Sequence, residues 1–285
     1  MNTMSLKYFY TAVLLMLCKL VPAQVFNNQM SLLDKINVYK VVTFEEFVNR
    51  FNNDPKSNIK KAYKYYHVEF KIRRPALIKS LFDYETASWD TVAINSFTAE
   101  ALDAKKSKPL NAATGLFAEV KCRFRYHSAD AELPLILRYI SDPQKGSKWV
   151  ICGVGVHSLA LNDVTVPKIK ENMTAKFITP VNNEINFTEL EKVFSDKNNL
   201  HDYFDKEFFL KKRAVAFYNA VVQNQVQFLD VKDIYYHELQ YEGWIFIVKE
   251  FRRNTLNSGW LISKLIKTLP EAKAQYLENL LGEQL

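Results

Sequence analysis

The pairs Cys122/His127 and Cys152/His157 stand at the same five-residue spacing and invite a Cys₂His₂ metal site. Strand geometry argues against it. Residues five apart on an extended chain project from opposite faces and lie about 16 Å from each other at ~3.3 Å per residue. Zinc needs all its ligands within about 2.3 Å. No metal and no cofactor is expected. The remaining acid of interest is Asp233, which aligns with Cys122 in an internal comparison of the chain. A carboxylate on that apolar face would serve as a general base. A bulge near Asp230 would instead leave Asp233 solvated and turn Ile234 and Tyr236 inward, and the pattern favours this arrangement. No GxSxG, P-loop, GxGxxG or HExxH motif occurs. Asp233 is therefore the catalytic candidate, and other catalytic residues are unknown.

The elements that position these residues come from a repeat. Shifting the sequence by 111 positions aligns Phe117–Cys152 with Phe228–Ser263 without a gap, and Trp149-Val-Ile meets Trp260-Leu-Ile. A second match has an offset of 143. It aligns Thr43-Phe-Glu-Glu-Phe47 and Phe51 with Asn186-Phe-Thr-Glu-Leu190 and Phe194, each reading as a helix start with a reciprocal cap. The offsets differ by 32, so the first copy should hold about 32 extra residues, expected at 84–115. Each copy reads as helices followed by a three-strand antiparallel meander, with strict alternation from Leu116 to His127. The second copy adds a long helix over His201–Val222 and a final helix from Thr268, capped with Glu271, that buries Leu277, Leu280 and Leu281.

This order resembles the NTF2-like superfamily, whose helices pack into a curved sheet. The resemblance covers about 40–157 and 183–268 and rests on element order and strand patterning. It implies an α+β fold of two tandem NTF2-like domains, each with a concavity used in different members for catalysis, ligand binding or dimerisation. The expected organisation is a leader at 1–23, a first domain at 24–160, a linker at 161–182 containing Pro167 and Pro180, and a second domain at 183–285. Separate cores are expected, with Trp149 and Trp260 packed on the helices of their own domains.

Lys7, the apolar run Thr11–Cys18 and the Val21-Pro22-Ala23 ending read as a secretory signal cut before Gln24. Lipidation at Cys18 is the rival, and Leu17 before it departs from the bacterial lipoprotein pattern. The chain is thus expected to be exported to a periplasm or the extracellular space, without a transmembrane segment. Loss of Lys7 and Lys19 lowers the net charge of +7 by two, and the basic clusters Arg73-Arg74, Lys211-Lys212-Arg213 and Arg252-Arg253 are short. No nucleic-acid partner is expected. Cys122 and Cys152 would sit on first and third strands about 9.5 Å apart, beyond the ~7 Å reach of a disulfide, and read as buried thiols.

Aromatic clusters at Tyr63-Lys-Tyr65-Tyr66, Phe208-Phe209 and Tyr235-Tyr236 would line a core or mark a sugar- or protein-binding face. Asn172 and Asn186 fit a glycan-acceptor triplet, and Asp90-Thr91-Val92 fits one for bacterial O-glycosylation. The reading is an exported, non-enzymatic binding or assembly protein for a protein or small-molecule ligand, possible as a homodimer. The alternative is an isomerase- or hydrolase-like enzyme with one cone site near Asp233.

Overall fold

The computed structural model describes residues 31–103, 109–110, 115–142, 146–155, 159–167, 178–179 and 187–282. The leader with Cys18 and Gln24, and His157, Asn172, Pro180 and Asn186, lie outside the described residues. The fold is α+β. Six strands form one antiparallel sheet: β1 (Leu116–Tyr126), β2 (Ala129–Asp142), β3 (Gly146–Val154), β4 (Val226–Glu238), β5 (Trp244–Phe251) and β6 (Gly259–Lys267). Their order is β3-β2-β1-β4-β5-β6. Each meander joins the other through its first strand, with β1 antiparallel to β4. Mirrored order around an antiparallel centre relates the two halves by a pseudo-two-fold axis between β1 and β4.

Eight α-helices accompany the sheet among the described residues: α1 (Leu32–Tyr39), α2 (Phe44–Phe51), α3 (Asn58–Tyr65), α4 (Arg74–Ser80), α5 (Thr91–Leu102), α6 (Leu190–Ser195), α7 (Lys212–Val222) and α8 (Pro270–Leu280). Helix α2 starts where expected, with Thr43 Oγ1 accepting from Glu46 N at 3.0 Å. The reciprocal half of that cap does not form. Glu46 turns inward to Arg50 at 2.9 Å, both side chains being buried, while its other oxygen accepts from Asn58 N. Arg50 also donates to the carbonyls of Val38 and Tyr39, so one buried ion pair ties together three helices. A buried arginine persists only when its donors are occupied in this way.

The expected separate cores are not found. One main apolar cluster runs through both halves, from Phe44 and Phe51 through Val120 and Leu137 to Trp149, Phe217, Tyr236 and Trp260. The helices are also exchanged. The first set packs on the second meander: Phe44 stacks on Tyr236 at 3.8 Å, Phe51 packs on Phe246, and Phe97 on Trp244 and Phe246. The second set packs largely on the first meander, through Phe187 on Trp149 and Phe194 and Phe217 on Phe124. Trp260 therefore meets α2 of the opposite half and Trp149 meets Phe187 in the turn before α6 of the opposite half, which corrects the expectation that each packs on the helices of its own. A single shared sheet permits this, because each helical set can reach across the β1–β4 seam.

Both outer edges of the sheet are bridged over part of their length by segments from the other half. Phe82 bridges Ile262 of β6, and Phe204 bridges Ile151 of β3, in equivalent positions of the repeat. Val41 bridges Gly259 and Ile178 bridges Trp149, in opposite senses. Gly259 has φ +91° and its missing side chain leaves the space that the Val41 carbonyl fills, so no other residue fits this edge contact.

The bridge at Phe204 also breaks the long helix expected over His201–Val222. Asp205 N donates to Ile151 O at 2.8 Å and its side chain caps Glu207 N. Two short 3₁₀ turns, Leu200–Tyr203 and Lys206–Leu210, precede α7 as a result. The 32 extra residues of the first copy are not one block at 84–115. That range holds α5, and part of the extra length is α3 and its flanks, between Phe44 and Phe82. The last helix starts at Pro270 without a side-chain cap, because proline sets the first turn and Thr268 bonds the Leu269 carbonyl instead. It lies on the outer face of the sheet, where Leu277, Leu280 and Leu281 pack half-buried against Phe117, Ile136, Cys152, Leu239 and Ile245.

Candidate functional site

The sheet parts between β4 and β5. These strands pair only from Tyr235↔Lys249 to Glu238↔Phe246, although β4 runs on from Ile234 back to Val226. On the other side of β4, the register with β1 jumps between Lys121 and Cys122 and again between Arg123 and Phe124, leaving Lys232 and Leu229 as extra residues. These two bulges disrupt the ladder locally, and β5 ends at Phe251, two residues beyond Lys249. The gap is a cleft of about 370 Å³. Val231, Lys232, Asp233 and Ile234 form one wall; Lys249, Glu250 and Arg252 form the other, and Trp260 closes the base.

Asp233 lies on the rim of this cleft, beside Lys121 in register, and is exposed. It makes no hydrogen bond or ion pair among the described residues. Ile234 and Tyr236 point into the core, at 6% and 0% exposure. The burial on which a general-base role depends is missing at Asp233. Around it the side chains are ordered in pairs: Lys121 and Lys249 both lie over the Tyr235 ring, at 4.9 and 5.2 Å from its centroid. Arg252 donates to Glu250 at 3.0 Å, and Lys232 reaches Asp230 at 3.5 Å. Asp230 is held below the usual carboxylate range; burial opposes this, but Arg123 and Lys232 outweigh it. The cleft thus offers unpaired strand backbone, one indole and charges of both signs.

Comparison with known protein families, with curated proteins and with solved structures finds no match for this chain. The chemistry has to be read from the geometry.

A second polar cluster went unnoticed in the sequence. His237 Nε2 lies 3.1 Å from Glu119 Oε2, and His237 Nδ1 lies 2.6 Å from the Tyr276 hydroxyl. The three residues come from β4, β1 and α8, and only the last strand-to-helix contact makes them a group. Burial pushes the Tyr276 phenol up, with the Glu119 charge adding to it. Burial also acts to raise Glu119, but the hydrogen bond and charge of His237 and the charge of Lys121 hold it below its usual value. His237 is 3% exposed, so this chain of groups fastens α8 to the sheet rather than meeting a ligand. Lys273 fastens the same helix by donating to the carbonyls of Leu239 and Tyr241. Next to it, burial lifts the Glu238 carboxyl to about 8, against the pull of the Gln240 N–H and Lys273.

A repeated Phe-Asp-x-Glu was also overlooked, at Phe82–Glu85 and Phe204–Glu207. Asp83 pairs with Arg253 at 2.8 Å and Glu85 with the same arginine at 3.6 Å. Asp205 and Glu207 pair with Arg138 in the same manner. Each motif follows an edge bridge and locks the exchanged helices to the opposite meander.

The other candidates are placed as follows. Cys122 is buried in the main core and Cys152 under α8, on opposite faces of the sheet and separated by β2. Burial raises both thiols, Cys152 to about 12. His127 is exposed in the β1–β2 turn at φ +53°. Among the described residues no three His, Cys, Asp or Glu side chains are grouped to hold a metal ion. Asp90 caps α5 by accepting from Val92 N, with Thr91 and Val92 exposed beside it. Phe208 and Phe209 are core, while Tyr65 is 78% exposed. No helix among the described residues is long and apolar enough to cross a membrane.

Proposed function

We propose that this chain is an exported, non-enzymatic binding or assembly protein that takes an extended segment of a partner protein between β4 and β5. The observation that carries this reading is the split sheet. The outer edges are bridged at Gly259 and Ile262 of β6 and at Trp149 and Ile151 of β3, whereas β4 before Tyr235 presents its β5-facing side to an open cleft. An extended peptide entering there would gain main-chain hydrogen bonds from a strand already held by β1. Trp260 would take an apolar side chain. Lys249, Arg252 and Asp233 would select charges of the inserted segment.

Two NTF2-like halves sharing one sheet account for the architecture. Support comes from helices preceding a meander in each half, and from the matched pairs Phe44–Trp260 and Phe187–Trp149. The signal-like residues 1–23 support a periplasmic or extracellular location. The enzyme alternative near Asp233 lacks a buried partner for that acid.

Selection of random heptapeptides displayed on phage tests the reading. Enriched peptides should bind the native chain and lose about tenfold or more in affinity to a Lys249→Glu/Arg252→Glu variant. Failure to enrich any peptide, or equal binding to the variant, would contradict it.

A further inference from the structure

Residues 60–76 contain no buried residue, although Ile59 and Leu77 on either side are fully buried. The stretch holds Lys60, Lys61, Lys64, Lys71, Arg73 and Arg74 against one acid, Glu69. Glu69 is occupied by Lys71 at 3.1 Å. Interleaved with these cations are Tyr63, Tyr65, Tyr66, Val68, Phe70 and Ile72. Their arrangement is ordered. Tyr63 meets Phe70 edge-on at 5.1 Å and bonds Tyr39 of α1 through its hydroxyl at 2.9 Å. Tyr65 meets Tyr66 at 5.2 Å. His67 follows α3 at φ +52°, and Tyr65 and Val68 stand 78% and 36% exposed, with Lys61 and Lys64 of α3 also exposed.

Two apolar side chains, Tyr65 and Val68, stand exposed together among these cations over a half-buried layer of Tyr63, Tyr66, Phe70 and Ile72, a pairing that suits an interaction site. The exposed cations Lys61, Lys64, Lys71 and Arg73 call for an anionic partner, while Lys60 is held by the Asn53 carbonyl. The exposed aliphatic side chain decides its class: glycans and nucleic acids reward aromatic stacking but not Val68, whereas a lipid interface takes a tyrosine ring and an aliphatic chain together.

We infer that the segment from Lys60 to Arg74 docks the protein on the surface of an anionic phospholipid bilayer, with Tyr65 and Val68 entering the interface between lysines that face the headgroups. This is peripheral attachment through residues none of which lines the β4–β5 cleft, so its failure is independent of the peptide reading.

Co-sedimentation with vesicles tests it, using the chain from Gln24 onward, which contains the whole described fold. Vesicles of phosphatidylcholine with one third phosphatidylglycerol should pull the protein down, and phosphatidylcholine alone should not. The exposed-residue variant Lys61→Glu/Lys64→Glu/Lys71→Glu should lose about tenfold or more in partitioning while keeping its circular dichroism spectrum and melting temperature. Tyr65→Ala/Val68→Ser should lose several-fold at unchanged charge. No binding to anionic vesicles, equal binding to neutral ones, or wild-type binding by the triple-lysine variant would overturn the proposal. An unaffected Tyr65→Ala/Val68→Ser variant would overturn the lipid as partner in favour of a general polyanion.

Discussion

Phe44 meets Trp260 edge-on, with ring centres 6.3 Å apart and planes inclined at 77°, and Phe187 meets Trp149 in the same way at 5.5 Å and 79°. In both pairs the phenylalanine lies at or just before the start of a helix, α2 or α6, and the tryptophan lies in the first half of the last strand of the other half's meander. The pairs are the same contact made twice across the pseudo-two-fold axis. They hold the exchanged helices against a shared sheet, and the core they enclose is continuous.

A continuous core predicts one unfolding transition. Trp149→Ala and Trp260→Ala should each cost on the order of 3–5 kcal/mol and shift the same single transition in calorimetry. A two-step melt in which each substitution lowers a different step would refute the shared core. A double-mutant cycle on Phe44 and Trp260 should return a coupling of about 0.5–1.5 kcal/mol.

Glu238 predicts a pH dependence between about 4.5 and about 8. Its folded pKa of about 8 lies above the ordinary 4.5, so the folded state holds a proton that the unfolded chain has lost. Stability is then greatest below about pH 4.5 and falls until about pH 8, where the loss levels off. Glu238→Gln should stabilise by on the order of 3 kcal/mol at pH 8, and by little at pH 4.5, as read from denaturant melts. A gain independent of pH would be inconsistent with a buried neutral carboxyl.

The strands were legible in the sequence because alternation records which side of a chain is buried. Ile234 and Tyr236 likewise pointed to a bulge that leaves Asp233 in solvent. Periodicity does not record what a face is buried against, so the exchange of helices was invisible: Phe44 and Phe187 show the same pattern whichever half they pack on. The Phe-Asp-x-Glu motifs escaped notice because they repeat at neither of the two offsets that align the helix starts and the strands. Glu119, His237 and Tyr276 are distant in sequence and carry no spacing signal, and the cleft depends on where β4 and β5 cease to pair.

The Glu119–His237–Tyr276 group predicts an acid-sensitive hold on α8. Glu119 is depressed below 4.5, so the stability it contributes is present above that pH and lost as pH falls through the folded value. Glu119→Gln should therefore be less stable than the parent at pH 7, with the gap closing below about pH 4.5 in urea melts. Tyr276→Phe, which leaves His237 Nδ1 buried without its partner, should cost about 1–3 kcal/mol and speed proteolysis of the C-terminal helix.

Thiol chemistry gives an independent check of the core. Native protein should resist alkylation at Cys122 and Cys152, and denatured, unreduced protein should take up label at both. Cys122→Ser should cost roughly 1–3 kcal/mol with or without reductant. A disulfide linking the two would be incompatible with their places on opposite faces of the sheet.

Amide hydrogen exchange along β4 tests the functional account most directly. In the free chain, amides of Val231–Ile234 that face β5 should exchange fast while those facing β1 are protected. Binding of a selected peptide should slow the first group and leave the edges at Ile151 and Ile262 unchanged. Protection appearing at those edges, or along residues 60–76, with none at Val231–Ile234, would contradict the claim that the split between β4 and β5 is where this protein holds its partner.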